Sequence, residues 1–148
     1  MPLPQRPERL LLFDIASRLY ALRESAVAGL IQCGPLRPVP GAPGAVVGLT
    51  DWRGHVMTLI DLHRVLDDAP RLGHSCTVRL AAPLERTALR VHTTLRLVEM
   101  RVSAIDAGGA ECATPGVECR FEHDGRIVNL LDPQAIIRRV ALETGEHR

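Results

Sequence analysis

The sequence has 148 residues, with 18 basic and 17 acidic side chains and a net charge of +1. It is 46% hydrophobic but only 3% aromatic, a globular composition whose core must be built from Leu, Val, Ile and Ala. Near-neutrality, scattered arginines and few stacking aromatics exclude a nucleic-acid-binding field, and no apolar run reaches the roughly 20 residues that cross a bilayer.

The first nine residues carry three prolines and are expected to form a flexible arm with no apolar leader segment. Leu10 to Ile15 and Arg18 to Leu22 are short apolar runs around a turn at Ala16-Ser17, and both are expected to be strands. Ser25 to Ile31 fits a strand or one helical turn, with Gly29 favouring a strand or a bulge. Gly34 to Gly44 contains four prolines, which remove backbone donors and fix φ, so the segment is a loop.

Ala45 to Asp51 and His55 to Asp61 flank Trp52-Arg53-Gly54, a hairpin signal in which Gly54 supplies positive φ. Asp61 is placed to cap a helical segment from Leu62 to Leu66, and residues 67–73 read as a polar linker. Further strands are expected over His74 to Ala81, Thr87 to His92 and Leu95 to Val102, followed by a Gly-rich loop from Asp106 to Gly116. Val117 to His123 and Arg126 to Leu131 flank Asp124-Gly125, a second hairpin. Asp132-Pro133 opens a helix with Asp as N-cap and Pro in its first turn, and Ile136, Ile137 and Val140 give it an apolar stripe. The tail after Leu142 is polar and expected to fray.

An internal echo recurs at an offset of 71 residues. Gly54 to Asp61 matches Gly125 to Asp132, Val46 falls on Val117, and Val65-Leu66 falls on Ile136-Ile137. Strand, glycine turn, apolar strand, Asp cap and helical turn agree together, which points to an all-β chain of two related barrel-like lobes. The lobes are expected at about 16–80 and 81–130 within one domain over 10–142, the terminal segments completing them, with a polar tail at 143–148.

Catalytic signatures are missing. There is no phosphate-binding glycine loop and no G-x-S-x-G elbow, and Asp61 and Asp132 fit caps better than acids or bases. Cys33, Cys76, Cys112 and Cys119 form no C-x-x-C pair, and the six histidines lack zinc-ligand spacing. No metal and no cofactor is expected, and a cytoplasmic protein with reduced thiols is the simplest reading. The lone Trp52 is either a partner-binding anchor or a cover for one barrel end. Arg53 beside it can serve a partner carboxylate or its own lobe.

Pro40-Gly41-Ala42-Pro43, then Val47 to Gly54, then Val56 to Leu62 resembles the CheW-like family pattern P-G-x-P, G-[LV]-x-N-x-R-G, an apolar strand and D-L. Phe13 to Ile15, Tyr20 to Leu22 and Val27 resemble its opening strands, and Arg126 to Asp132 its last strand and closing helix. The resemblance implies two five-stranded, SH3-like β-barrels around a common core. It implies a non-catalytic adaptor between chemoreceptor cytoplasmic tips and the regulatory domain of a CheA-type histidine kinase, at membrane-associated arrays but without membrane insertion. It carries partner-binding roles to Val27, Gly48, Arg53 and Gly54; Trp52 joins them from its position. Asp51 stands where Asn is usual, Gly29 where an acidic residue is common, and His92 where Asp is common. These departures keep open a divergent module serving pili or another output without kinase activation.

Overall fold

A computed structural model describes residues 7–66, 75–93, 95–101 and 116–146. Among these residues, ten strands make two five-stranded sheets. In chain order they are β1 (Pro7–Ile15), β2 (Arg18–Arg23), β3 (Val27–Ile31), β4 (Val46–Trp52), β5 (His55–Asp61), β6 (Cys76–Leu80), β7 (Thr87–Val91), β8 (Arg96–Arg101), β9 (Val117–His123) and β10 (Arg126–Leu131). Helix α1 (Leu62–Leu66) follows β5, and helix α2 (Pro133–Glu146) follows β10. A single 3-10 turn, Glu24–Ala26, separates β2 from β3.

The first sheet runs β8-β1-β2-β10-β9 and the second β3-β6-β7-β5-β4. Residues 27–91 therefore supply one sheet whole, while the strands before and after them share the other. This division differs from lobes at 16–80 and 81–130. β2 pairs parallel with β10, and β7 pairs parallel with β5, so β2 leaves the expected first lobe and β7 joins it. Short hairpin grammar reveals antiparallel neighbours, but parallel partners lie far apart in sequence and leave no local signature.

Two further boundaries move. Pro7 to Arg9, expected in the arm, pair with β8 from Pro7↔Arg101 onward. Proline is tolerated there because the first residue of a strand can do without its ladder donor. Helix α2 continues past Leu142 to Glu146. The linker at 67–73 and the loop residues 106–115 lie outside the described residues.

The 71-residue echo holds to the level of hydrogen bonds. β4 pairs β5 through Trp52↔His55, Thr50↔Met57 and Gly48↔Leu59, and β9 pairs β10 through His123↔Arg126, Phe121↔Val128 and Cys119↔Leu130. Both hairpins slip register at the same place, between Val46 and Gly48 and between Val117 and Cys119. Both turns put two residues at positive φ, Arg53-Gly54 and Asp124-Gly125, the geometry that a two-residue hairpin requires. Asp61 N–H donates to Ala45 O at 2.8 Å, and Asp132 N–H to Gly116 O at 2.9 Å.

Among the described residues, buried apolar side chains fall into three clusters. Leu10, Leu12, Leu19, Ala21, Phe121, Val128 and Leu130 fill the interior of the first barrel. Met57, Leu59 and Ala88 fill the second, with Ile31, Val47 and Trp52 packed on them from its two outermost strands; that meeting of β3 and β4 residues shows the sheet curling closed. The largest cluster joins the lobes: Phe13, Tyr20 and Leu22 from one sheet meet Ile60, Val78, Leu80 and Leu89 from the other, with Ile136 and Val140 of α2. Burying such a side chain contributes about 1.5–3 kcal/mol, so the shared core makes the lobes interdependent. Arg23 ties the first sheet together, hydrogen-bonding Glu118 of β9 and reaching Glu8 of β1 at 2.8 Å. The Glu118 bond holds its guanidinium pKa above the ordinary arginine value; partial burial opposes this, and the charges of Glu118 and Glu8 add to it.

Candidate interaction surfaces

The five residues singled out from the sequence all belong to the second sheet: Val27 on β3, Gly48 and Trp52 on β4, and Arg53 and Gly54 in the β4–β5 turn. The turn brings Trp52, Arg53 and Gly54 together at one tip. Arg53 adopts φ 48° and its guanidinium carbon lies 4.9 Å from the Trp52 ring centroid. Arg79 of β6 stacks on the same ring at 4.6 Å. Trp52 is half-buried, packing into the barrel while two cations cover it. It thus serves as a barrel cover and still presents part of its indole at the tip.

Gly48 is buried, and its environment explains the residue. Residues 34–37 lie along β4: Arg37 N–H donates to Leu49 O at 2.7 Å, Leu49 N–H donates to Arg37 O at 2.8 Å, and Gly34 N–H donates to Asp51 O at 3.3 Å. Thr50 Oγ1 donates to Gly34 O at 3.0 Å. Asp51, at the position where Asn is usual, accepts from Arg37 Nη2 at 2.8 Å and pins this segment from its exposed side. The proline-rich loop thereby shields the outer edge of β4 from pairing with other chains.

Val27 is half-buried against the shared core and pairs with Leu80 beside the bulge that contains Gly29. The large apolar residue exposed on β3 is Leu30, 61% accessible. Val56, next to the hairpin tip, is 47% accessible. The sequence reading passed over both. Consecutive apolar residues on a strand point to opposite faces, so Leu30-Ile31 and Val56-Met57 each had to leave one outward. Leu30 borders a cleft of about 450 Å³ that also takes in Cys33 and Cys76, both half-buried thiols.

Asp61 belongs to a buried polar cluster. Its Oδ1 accepts from His63 N–H at 3.0 Å, capping α1, and its Oδ2 lies 3.3 Å from His92 Nε2 and 3.6 Å from Arg90 Nη2. His92 N–H donates to His63 Nε2 at 3.0 Å, and the two rings meet edge to face. His92, one of the departures, is therefore spent inside the lobe. Among the described residues, no grouping of three or more His, Cys, Asp or Glu side chains has the geometry to hold a metal ion. No helix among them is long and apolar enough to cross a membrane.

A family profile described as CheW-like domain matches residues 9–141. Among solved structures, the scaffolding protein TtCheW from Thermoanaerobacter tengcongensis is similar, with a TM-score of 0.74 at 18% identity over 86% of this chain and 90% of that one. At that identity the likeness establishes the shared fold. The search of curated proteins returned no match.

Proposed function

The chain belongs to the CheW-like domain family, and from that premise we propose that it is a non-catalytic adaptor coupling the cytoplasmic tips of chemoreceptors to a CheA-type histidine kinase in a signalling array. The observation that carries this reading is the β4–β5 tip, where Trp52 is held by Arg53 and Arg79, with the exposed Val56 on the other face of the hairpin. An aromatic anchor fixed by arginines is the side-chain chemistry that dominates protein–protein interfaces. Gly48 and Gly54 act by letting the backbone take the shape that presents this tip, and Val27 by packing the β3 edge on which Leu30 is displayed. The protein works where the receptor tips are, on the cytoplasmic side of the membrane.

A pull-down with a CheA regulatory domain and a receptor signalling tip tests the reading. Capture of both at micromolar concentration, reduced by Trp52→Ala, is the expected result; capture of neither overturns it. A second reading keeps the fold and changes the output to pili or another pathway without kinase activation. Gly29 favours it, because it leaves the β3 edge without the carboxylate common at that position. Kinase activity reconstituted with and without the protein separates the two.

A further inference from the structure

We propose that Arg79 works with Arg53 as a two-armed clasp for an Asp or Glu side chain of the partner protein that seats on the β4–β5 tip. That such a partner exists rests on the adaptor reading; the clasp adds the chemistry the partner must carry. The two guanidinium carbons lie 4.9 Å and 4.6 Å from the same Trp52 ring centroid. Among the described residues, neither group has a carboxylate or any other hydrogen-bond acceptor. Asp51, next to Trp52, is taken by Arg37, and Asp61 by Arg90 and His92. A guanidinium stacked on a ring keeps its N–H edge for acceptors, and two like charges on one indole repel until an anion joins them.

The fold does not call for a charge at Arg79. Val78 and Leu80 face the shared core, so Arg79 points to the barrel interior, in register with Ala88 and, beyond it, Leu59. The first lobe repeats this row as Leu12, Ala21 and Leu130, and Leu12 is fully buried. A leucine thus fills in one barrel the place that an arginine takes in the other. Arg79 Nε is buried with no hydrogen-bond partner, a desolvation cost that an apolar side chain would avoid.

Gly29 leaves the matching acid out. It pairs opposite Arg79, and it stands where the resemblance makes an acidic residue common. A carboxylate there would face Arg79 across the ladder. In its absence the place is open, since a Cβ on Gly29 would meet no atom within 4 Å. The chain keeps the arginine and lacks the acid, so the partner supplies the negative charge. Arg53 is exposed in the turn and Arg79 half-buried, so the incoming carboxylate meets Arg53 first and settles against Arg79 at the edge of the indole. The planar fork of arginine suits this bidentate contact.

The test is an NMR titration of the full ¹⁵N-labelled chain with the synthetic peptide Gly-Glu-Gly-Glu-Gly, its Gly-Gln-Gly-Gln-Gly counterpart and inorganic phosphate. The acidic peptide alone should shift the Trp52 indole N–H and the signals of Arg53 and Arg79. Arg79→Met keeps a stem that fills the barrel and removes the fork, and it should weaken the peptide about tenfold. Arg79→Lys, which restores the charge, should recover part of that loss. Should Arg79→Met fail to fold, the exposed change Arg53→Gln carries the same expectation. Affinity unchanged in the variant, equal shifts with the glutamine peptide, or equal shifts with phosphate alone would each overturn the proposal. Capture of the kinase domain or receptor tip at an affinity that neither arginine change lowers would also overturn it and leave the adaptor reading standing. Peptide shifts without capture of either partner would defeat the adaptor reading and leave the clasp.

Discussion

Gly48 passes so close beneath Arg37 that a Cβ on it would lie 2.5 Å from the Arg37 carbonyl oxygen. The obstacle is backbone held on both sides by the Arg37–Leu49 bonds, so it cannot swing away as a side chain would. Gly48→Ala is expected to cost about 1–3 kcal/mol through overpacking and to loosen the 34–37 segment. Gly54→Ala meets no atom within 4 Å and strains only its positive φ, so its cost should be about 1 kcal/mol. Urea unfolding of the two variants checks the order. Amide exchange at Arg37 and Leu49 should rise in the first alone.

Asp61 and Asp132 cap their helices with matching bonds, each Oδ1 accepting the N–H two residues on at 3.0 Å. Their surroundings differ, since Asp61 is buried beside Arg90 and His92 whereas Asp132 is half-exposed. Asp132→Ala should therefore lose only a cap, about 1 kcal/mol. Asp61→Ala also leaves a guanidinium and an imidazole without their carboxylate, and about 3 kcal/mol is expected. Equal losses in denaturant titrations would refute the distinction.

Arg23 offers a pH test with a defined sign. Its pKa is raised in the folded state, so the associated stability is complete below the unfolded value and disappears only as pH climbs through the folded one. Both lie far above neutrality. Arg23→Gln should then lower stability by a similar amount, within about 1 kcal/mol, at about pH 6 and about pH 9. A loss that changed markedly between those two conditions would show that some other group dominates.

Trp52 is the single tryptophan and reports on its own surroundings. With two guanidinium groups on the ring, its emission should respond to any partner that seats on the β4–β5 tip. Arg79→Ala removes one of these contacts, worth about 0.5–1 kcal/mol where exposed, and should shift the emission of the unbound protein. Trp52→Ala should reduce kinase capture more than tenfold. An affinity loss no larger than that of Val56→Ala would relegate the indole to covering the barrel.

What could be read in the sequence was whatever is encoded locally. Arg53-Gly54 and Asp124-Gly125 announce turns, Asp61 and Asp132 announce caps, and the spacing between copies announces a repeat. The parallel meeting of Leu130 with Ala21 has no such marker, so the assignment of β2 to the first sheet needed the structure. Gly48 was legible as a glycine that matters, but the loop carbonyl that demands it was not. Leu30 was overlooked because the run from Val27 to Ile31 reads as uniformly apolar until the bulge at Gly29 settles which residues face out.

The two lobes are the same unit cut at different points. β3, β4, β5, α1, β6 and β7 form one lobe without interruption, and β8, β9, β10, α2, β1 and β2 form the other in the same order, broken where the sequence ends and begins. A permutant that opens the chain between Glu24 and Ser25 and joins residue 148 to residue 1 makes both lobes continuous. The opening falls in a turn with no buried residue. In the intact lobe, residues 67–75 connect α1 to β6, and in the other lobe residues 138–148 with 1–8 cover the equivalent stretch. Because residues past Ile137 continue as helix, they carry the chain about 13 Å beyond that point at 1.5 Å per residue. A Gly-Ser joint of about ten residues spans roughly 17 Å, which recovers the distance. The permutant should unfold cooperatively within about 2 kcal/mol of the parent, since the β2–β10 pair now closes over a shorter loop while the β5–β7 pair is unchanged. A second permutant opened at Thr50, inside β4, should not fold. If the first also fails while the second matches it, the two lobes are not interchangeable units and the repeat is only a likeness of hairpins.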